Sequence, residues 1–144
     1  MRKNEFVGTW KLVSFEMRRS DGQTVYPFGR DIIGVGCYDA RGNMSGQLMR
    51  SNRPAFAIND PQKGTSEEIK AAFEGYLAYF GTYEIDEEKG TVTHHVKGSM
   101  FPNWVGSDQT RLYEFSGNCL TLRTPPIQVG GIEITSLLIW ERIT

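Results

Sequence analysis

The sequence has little of what usually announces a function. Only two cysteines occur in its 144 residues, Cys37 and Cys119, and their separation matches no metal or redox spacing. A disulfide-stapled miniature fold and a cysteine-rich zinc site are thereby excluded. Free thiols in a reducing cytoplasm are the expectation, with one bridge left open if the two strands prove to be neighbours. Charge of one sign is also lacking: 16 Lys and Arg against 17 Asp and Glu give a formal net charge of −1. No global field therefore draws in nucleic acid or anionic lipid. The longest apolar runs, such as Leu137-Leu138-Ile139-Trp140, fall far short of the roughly 20 residues that cross a bilayer as a helix. The opening Met1-Arg2-Lys3-Asn4-Glu5-Phe6-Val7-Gly8 is basic but has no apolar h-region, so no secretory leader is expected. The two histidines, His94 and His95, are adjacent. On a strand such neighbours point to opposite faces and cannot chelate one ion. Dinucleotide fingerprint, P-loop and nucleophile elbow are all missing. The expectation is a cytoplasmic protein with no metal, no cofactor, no nucleic-acid partner and no membrane.

What is present is a turn-punctuated series of short β-type runs, rich in rings (8 Phe, 6 Tyr, 3 Trp) and in glycine (16). The length suits one domain over residues 1–144, able to bury roughly 68% of its unfolded surface without staples. Nine candidate strands fall at 7–19, 23–28, 32–39, 43–50, 79–86, 91–100, 109–115, 119–124 and 132–143. Pro27 marks an end or an edge position in the second run. Ala40-Arg41-Gly42 joins the third and fourth runs into a hairpin, because Gly42 can take the positive φ such a turn needs. Nine strands at this spacing favour an antiparallel sheet that closes into a barrel of about 8–10 strands, since closure removes exposed edges. One segment breaks the rhythm. Thr65-Ser66-Glu67-Glu68 is a capping box, and Ile69, Ala72, Phe73, Tyr76 and Leu77 recur at helical spacing. A helix over 66–77 is predicted, covering an end or flank of the barrel.

Gly8-Thr9-Trp10 opens the first strand, and Trp140-Glu141-Arg142 closes the last. With Met44-Ser45-Gly46-Gln47-Leu48-Met49-Arg50, Tyr79-Phe80-Gly81-Thr82-Tyr83, His94-His95-Val96, Phe101-Pro102-Asn103-Trp104-Val105-Gly106 and Gln109-Thr110-Arg111, the chain resembles the small bacterial and fungal lipocalin-like domains of the lipocalin superfamily. The resemblance runs over nearly the whole sequence. It implies a closed barrel whose Gly-X-Trp indole is capped by a C-terminal basic side chain, and it implies little about chemistry.

Period two assigns the lining of such a barrel. Gln109, Arg111, Tyr113 and Phe115 form the row with the larger rings, which places Gln109 and Arg111 in the cavity. A buried guanidinium needs a carboxylate, carbonyls or a ligand anion. In the neighbouring run Val92, His94 and Val96 share a face, which makes His94 the inward histidine unless a bulge exchanges it with His95. If Trp10 faces inward, Leu12, Ser14 and Glu16 follow it. The opposite row of Lys11, Val13, Phe15 and Met17 would then need a cover, either the helix or a second subunit in a homodimer. Gln47 shares a face with Met49, and Tyr83 with Tyr79 and Gly81. Phe101 and Trp104 sit in a loop, as a lip over the cavity mouth or as wall packing.

Two functions from different classes fit these residues. The first is binding of a small, mostly apolar molecule carrying a carbonyl or carboxylate, with Arg111, Gln109, His94, Tyr83, Tyr113, Gln47 and Trp104 as contacts. The second is a cofactor-independent enzyme of isomerase, cyclase, dehydratase or decarboxylase type, with His94, Glu16 or Tyr83 moving protons and Arg111 stabilising negative charge. A barrel filled by its own side chains, serving as an interaction module, is the third reading. No pair of titratable groups is forced together by spacing, which favours binding.

Overall fold

The computed structural model describes residues 4–144, with only the backbone of Val129; the basic opening Met1-Arg2-Lys3 lies outside them. The elements run β1 (Gly8–Arg19), β2 (Thr24–Val25), β3 (Ile33–Tyr38), β4 (Asn43–Met49), α1 (Ser66–Glu74), β5 (Tyr76–Asp86), β6 (Thr91–Ser99), a 3-10 turn (Pro102–Trp104), β7 (Asp108–Ser116), β8 (Cys119–Arg123), β9 (Ile127–Val129) and β10 (Ile132–Arg142). Every strand pairing is antiparallel, in the order β2-β1-β3-β4-β5-β6-β7-β8-β10-β9, and β1 also pairs with β10. That last ladder closes β1, β3 to β8 and β10 into an eight-stranded barrel, with β2 and β9 as short outlying additions. Gly42 has φ +90° in the β3–β4 turn, as the hairpin requires. The run expected at 23–28 is cut to two residues, and β9 follows the Pro125-Pro126 connector that had read as a turn alone.

The helix is shorter than its periodicity predicts. Thr65 Oγ1 accepts from the Glu68 amide (3.2 Å), and Glu68 Oε1 accepts from the Thr65 amide (2.8 Å), so the capping box is complete. Gly75 stops the helix, its N–H bonded to the Ala71 carbonyl. Tyr76, Leu77 and Ala78 then pair with Met49, Leu48 and Gln47. A ladder with β4 satisfies those backbone groups as well as another helical turn would. It also brings the partly buried Leu77 to the barrel interior.

The three hairpin turns β3–β4, β5–β6 and β7–β8 gather at one end of the barrel, together with the start of β1 and the end of β10. There Trp10 is 1% exposed, donates Nε1–H to the Phe6 carbonyl (2.9 Å) and lies under Arg142, whose guanidinium carbon is 4.3 Å from the ring centroid. Arg142 also donates to the carbonyls of Val7 and Glu5. The basic cap implied by the Gly-X-Trp resemblance is therefore present. The long connections, including α1 and the 3-10 turn, gather at the other end.

Two register shifts decide which faces look inward. One lies between Leu12 and Ser14 on β1. After it Phe15 pairs with Leu138, and Met17 with Ser136, and all four line the interior. The other lies on the β5–β6 ladder between Phe80 and Gly81. A Cβ at Gly81 would stand 1.9 Å from the His95 carbonyl oxygen, so the bulged strand uses the space that a side chain would take.

Two outcomes test this frame. Gly81→Ala should lower stability by about 1–3 kcal/mol through overpacking, read from the urea midpoint at constant m. Arg142→Ala should cost about 2–4 kcal/mol, from the lost stacking and the charge-assisted hydrogen bonds, and Arg142→Lys should recover only part of it.

Candidate ligand cavity

Inside the barrel is a cavity of about 450 Å³, within the range of small-molecule sites, roughly 300–1,000 Å³. Its walls are mainly apolar, with Trp10, Phe15, Met44, Leu77, Leu138 and Trp140 among them. The space exists because β3 and β4 present glycines on the inner row. Gly36 lies against the Trp140 ring, and a Cβ at Gly46 would meet nothing within 4 Å. The cavity extends from Trp10 toward Thr124, Pro125 and Ile127, at the end where the long connections lie.

The polar groups come from adjacent strands. Cross-strand pairing sets His94 beside Gln109 and Val92 beside Arg111, on the inner face of β6 and β7. His94 is 3% exposed. Its Nε2 lies 2.7 Å from the Tyr38 hydroxyl and its Nδ1 2.7 Å from the Tyr79 hydroxyl. Burial, then the nearby Arg111 charge, pushes the His94 pKa down to about 3, so the ring is neutral at physiological pH. Burial likewise raises both tyrosine pKa values above the usual 10, so their hydroxyls keep their protons. Arg111 donates to the Thr110 carbonyl (3.1 Å) and to Gln109 Oε1 (3.3 Å). Among the described residues it has no carboxylate partner. Gln109 in turn donates to Ser107 Oγ, which is tied to the Trp104 carbonyl. Trp104 meets the Tyr79 ring edge-on at 5.8 Å and belongs to the wall, while Phe101 packs on its outer side.

His94, Arg111, Gln109 and Trp104 are thus brought together around one space. Most of the other expected residues are placed elsewhere. Glu16 lies on the outer row beside Leu137 and pairs with Arg18 at 3.3 Å, because the β1 bulge turns Phe15 and Met17 inward instead. The same bulge removes the apolar outer row for which a helix or second subunit had been expected as cover. Gln47 borders the cavity, but it alternates with the inward Met44 and Leu48, is exposed, and its side chain accepts the Tyr76 hydroxyl on the outside. Tyr83 is buried, but at the closed end, where it donates to the Asp39 carbonyl (2.7 Å) and accepts from Asn4 (2.9 Å). Tyr113 packs edge-on against Phe6 and Phe115 behind the cavity. His95 faces outward to Asp108 at 2.8 Å, which raises its pKa. Tyr38 was not singled out from sequence, and Tyr79 only as sharing a face with Tyr83. The alternation Gly34, Gly36, Tyr38 and Tyr79, Gly81, Tyr83 carried the signal, and only the shared histidine gives it meaning. Both cysteines are unpaired, and their strands, β3 and β8, are not neighbours in the sheet. No helix among the described residues is long and apolar enough to cross a membrane.

Comparison with known proteins agrees with this architecture. Residues 7–143 match the family model described as a lipocalin-like domain. The 4'-hydroxy-3'-methoxypropiophenone carrier protein ppsC of Aspergillus oryzae is 36% identical over 107 residues, covering 69% of this chain and 96% of the relative. No solved structure matches the chain.

The depressed His94 pKa has a thermodynamic consequence. Between about pH 6.5 and 3 the unfolded chain takes up a proton at position 94 that the folded chain refuses, so stability falls as pH falls through that window. His94→Gln should flatten that part of the curve, as read from urea midpoints between pH 7 and 4. A dependence unchanged by the substitution would contradict the neutral, buried assignment.

Proposed function

The chain belongs to the lipocalin-like domain family, and from that premise we propose that it binds a small, mostly apolar molecule inside the barrel, with a carbonyl or carboxylate oxygen at Arg111. The observation that carries this reading is a guanidinium at an apolar cavity with no carboxylate partner among the described residues. Such a charge is stabilised when a ligand oxygen accepts from its unused N–H groups. The name of the A. oryzae relative points the same way. Its carried compound is an aryl ketone with a short alkyl tail, a combination of apolar body and carbonyl that suits this cavity.

Acid–base catalysis is less well supported. Glu16 is outside the barrel, and His94 with a pKa of about 3 is a weak base at neutral pH, far from the match that proton abstraction needs. The unpaired thiols are in keeping with a reducing compartment, and we place the protein in the cytoplasm on that ground.

Binding can be measured by calorimetry with propiophenone and 3-phenylpropanoate, using propylbenzene as an apolar reference. Arg111→Leu should weaken the two oxygen-bearing probes by about tenfold or more and leave propylbenzene nearly unchanged. Gly46→Val, which fills empty space without a backbone penalty, should fold at least as stably as the parent and weaken all three probes. Failure of the parent protein to bind any of them would overturn the proposal.

A further inference from the structure

The Tyr38–His94–Tyr79 chain contains a proton count that bears on which ligands fit. Both phenols are protonated and the imidazole is neutral, so three protons are shared among the two hydroxyls and the ring. Only two hydrogen bonds link the three groups. One hydroxyl proton is therefore always left over, and the tautomer of His94 decides which tyrosine carries it. Neither hydroxyl makes another hydrogen bond within the described residues.

The two ends are not equivalent. Tyr38 also borders the cavity, but it is 6% exposed and its ring is packed edge-on by Phe6 (5.1 Å) and Tyr83 (4.8 Å), whose own hydroxyl is already engaged by Asn4 and the Asp39 carbonyl. Tyr79 is only partly buried and fronts the cavity beside Trp104. A leftover proton at Tyr38 has little room for an acceptor among the packed rings, and a buried donor left unsatisfied is costly. A leftover proton at Tyr79 can be given to a ligand oxygen. Every proton finds a partner when Tyr38 donates to Nε2, Nδ1–H donates to Tyr79, and the Tyr79 hydroxyl donates into the cavity.

We propose that Tyr79 is a specificity-determining donor: the Tyr38–His94–Tyr79 chain presents its spare proton at the Tyr79 hydroxyl, so that the cavity selects a ligand whose polar group accepts a hydrogen bond over one that donates it there. An acceptor oxygen at Tyr79 fixes the Nδ1–H tautomer of His94. A ligand hydroxyl donating to Tyr79 forces the opposite tautomer and strands the proton on Tyr38. Arg111 acts in the same sense, because a guanidinium only donates. The inference rests on the binding reading given above and names a second residue, on a different strand, that recognises the ligand.

Three probes of nearly equal size separate the two ideas: propylbenzene, 1-phenylpropan-1-ol and propiophenone. The parent protein should bind propiophenone about tenfold or more tighter than the alcohol. Tyr79→Phe should reduce that preference to about threefold or less, while propylbenzene binds as before. In ¹⁵N-histidine-labelled protein, where only two imidazoles occur and His95→Gln assigns them, propiophenone should populate the Nδ1–H form of His94. If propylbenzene binds but the alcohol matches the ketone, or if Tyr79→Phe leaves the preference intact with the His94 tautomer unmoved, the donor role is overturned and the binding cavity stands. If no probe binds, the cavity reading itself fails, and the donor role with it.

Discussion

The ladder between β1 and β10 is the constraint on which the rest depends. These are the strands nearest the two ends of the chain, and their pairing turns an open sheet into a tube. Closure brings the first strand's Trp10 and the last strand's Arg142 into contact, and the stacked guanidinium shuts one end of the barrel with a charged group whose N–H donors are met by carbonyls. It also fixes the depth of the interior. A sheet of these strands left open would expose Leu120, Val92 and Leu12 together, three residues that are now at most 2% exposed, and the hydrophobic term for folding would be lost along with the cavity.

Much of this was legible in the sequence, for a specific reason. On β6 and β7 no bulge interrupts the pairing through the stretch that matters, so counting by twos from Val92 and from the rings of Tyr113 and Phe115 places His94, Gln109 and Arg111 on one face. The capping box and the Gly42 turn were legible because each is a local device whose chemistry is complete within a few residues. What could not be read was where the alternation slips. Glu16 was assigned to the interior by counting from Trp10, and one bulge after Leu12 reversed the count. A bulge is stabilised by contacts with a partner strand far away in sequence, and nothing local marks it. The same holds for β5, whose first residues have helical spacing to α1 but are claimed by β4. The paired tyrosines escaped for a related reason: Tyr38 and Tyr79 belong to different hairpins, and they become one unit only through His94.

The electrostatics of the cavity follow from burial more than from any one pair. Arg111 brings a guanidinium to the inner face of β7. His94, in the same low-dielectric surroundings, avoids a second positive charge by remaining neutral. The two residues therefore divide the roles: a fixed cation beside a neutral hydrogen-bond relay, with no carboxylate to cancel either among the lining residues. An oxygen acceptor is attracted to this arrangement whether it is neutral or anionic, whereas a cationic ligand is repelled.

The depressed histidine pKa also makes the recognition robust. If His94 titrated near neutrality, mild acidification would turn the relay from a donor–acceptor link into a double donor, and neither tyrosine would then need to give its proton to the ring. Both hydroxyls would point outward, and the distinction between the core end and the cavity end would vanish. Holding the pKa at about 3 keeps a single spare proton in the chain at neutral and mildly acidic pH. The cost appears as lower stability in acid, since the unfolded chain gains a proton that the folded chain refuses. The burial that destabilises the fold at low pH is thus the same burial that keeps the inward face of the barrel selective.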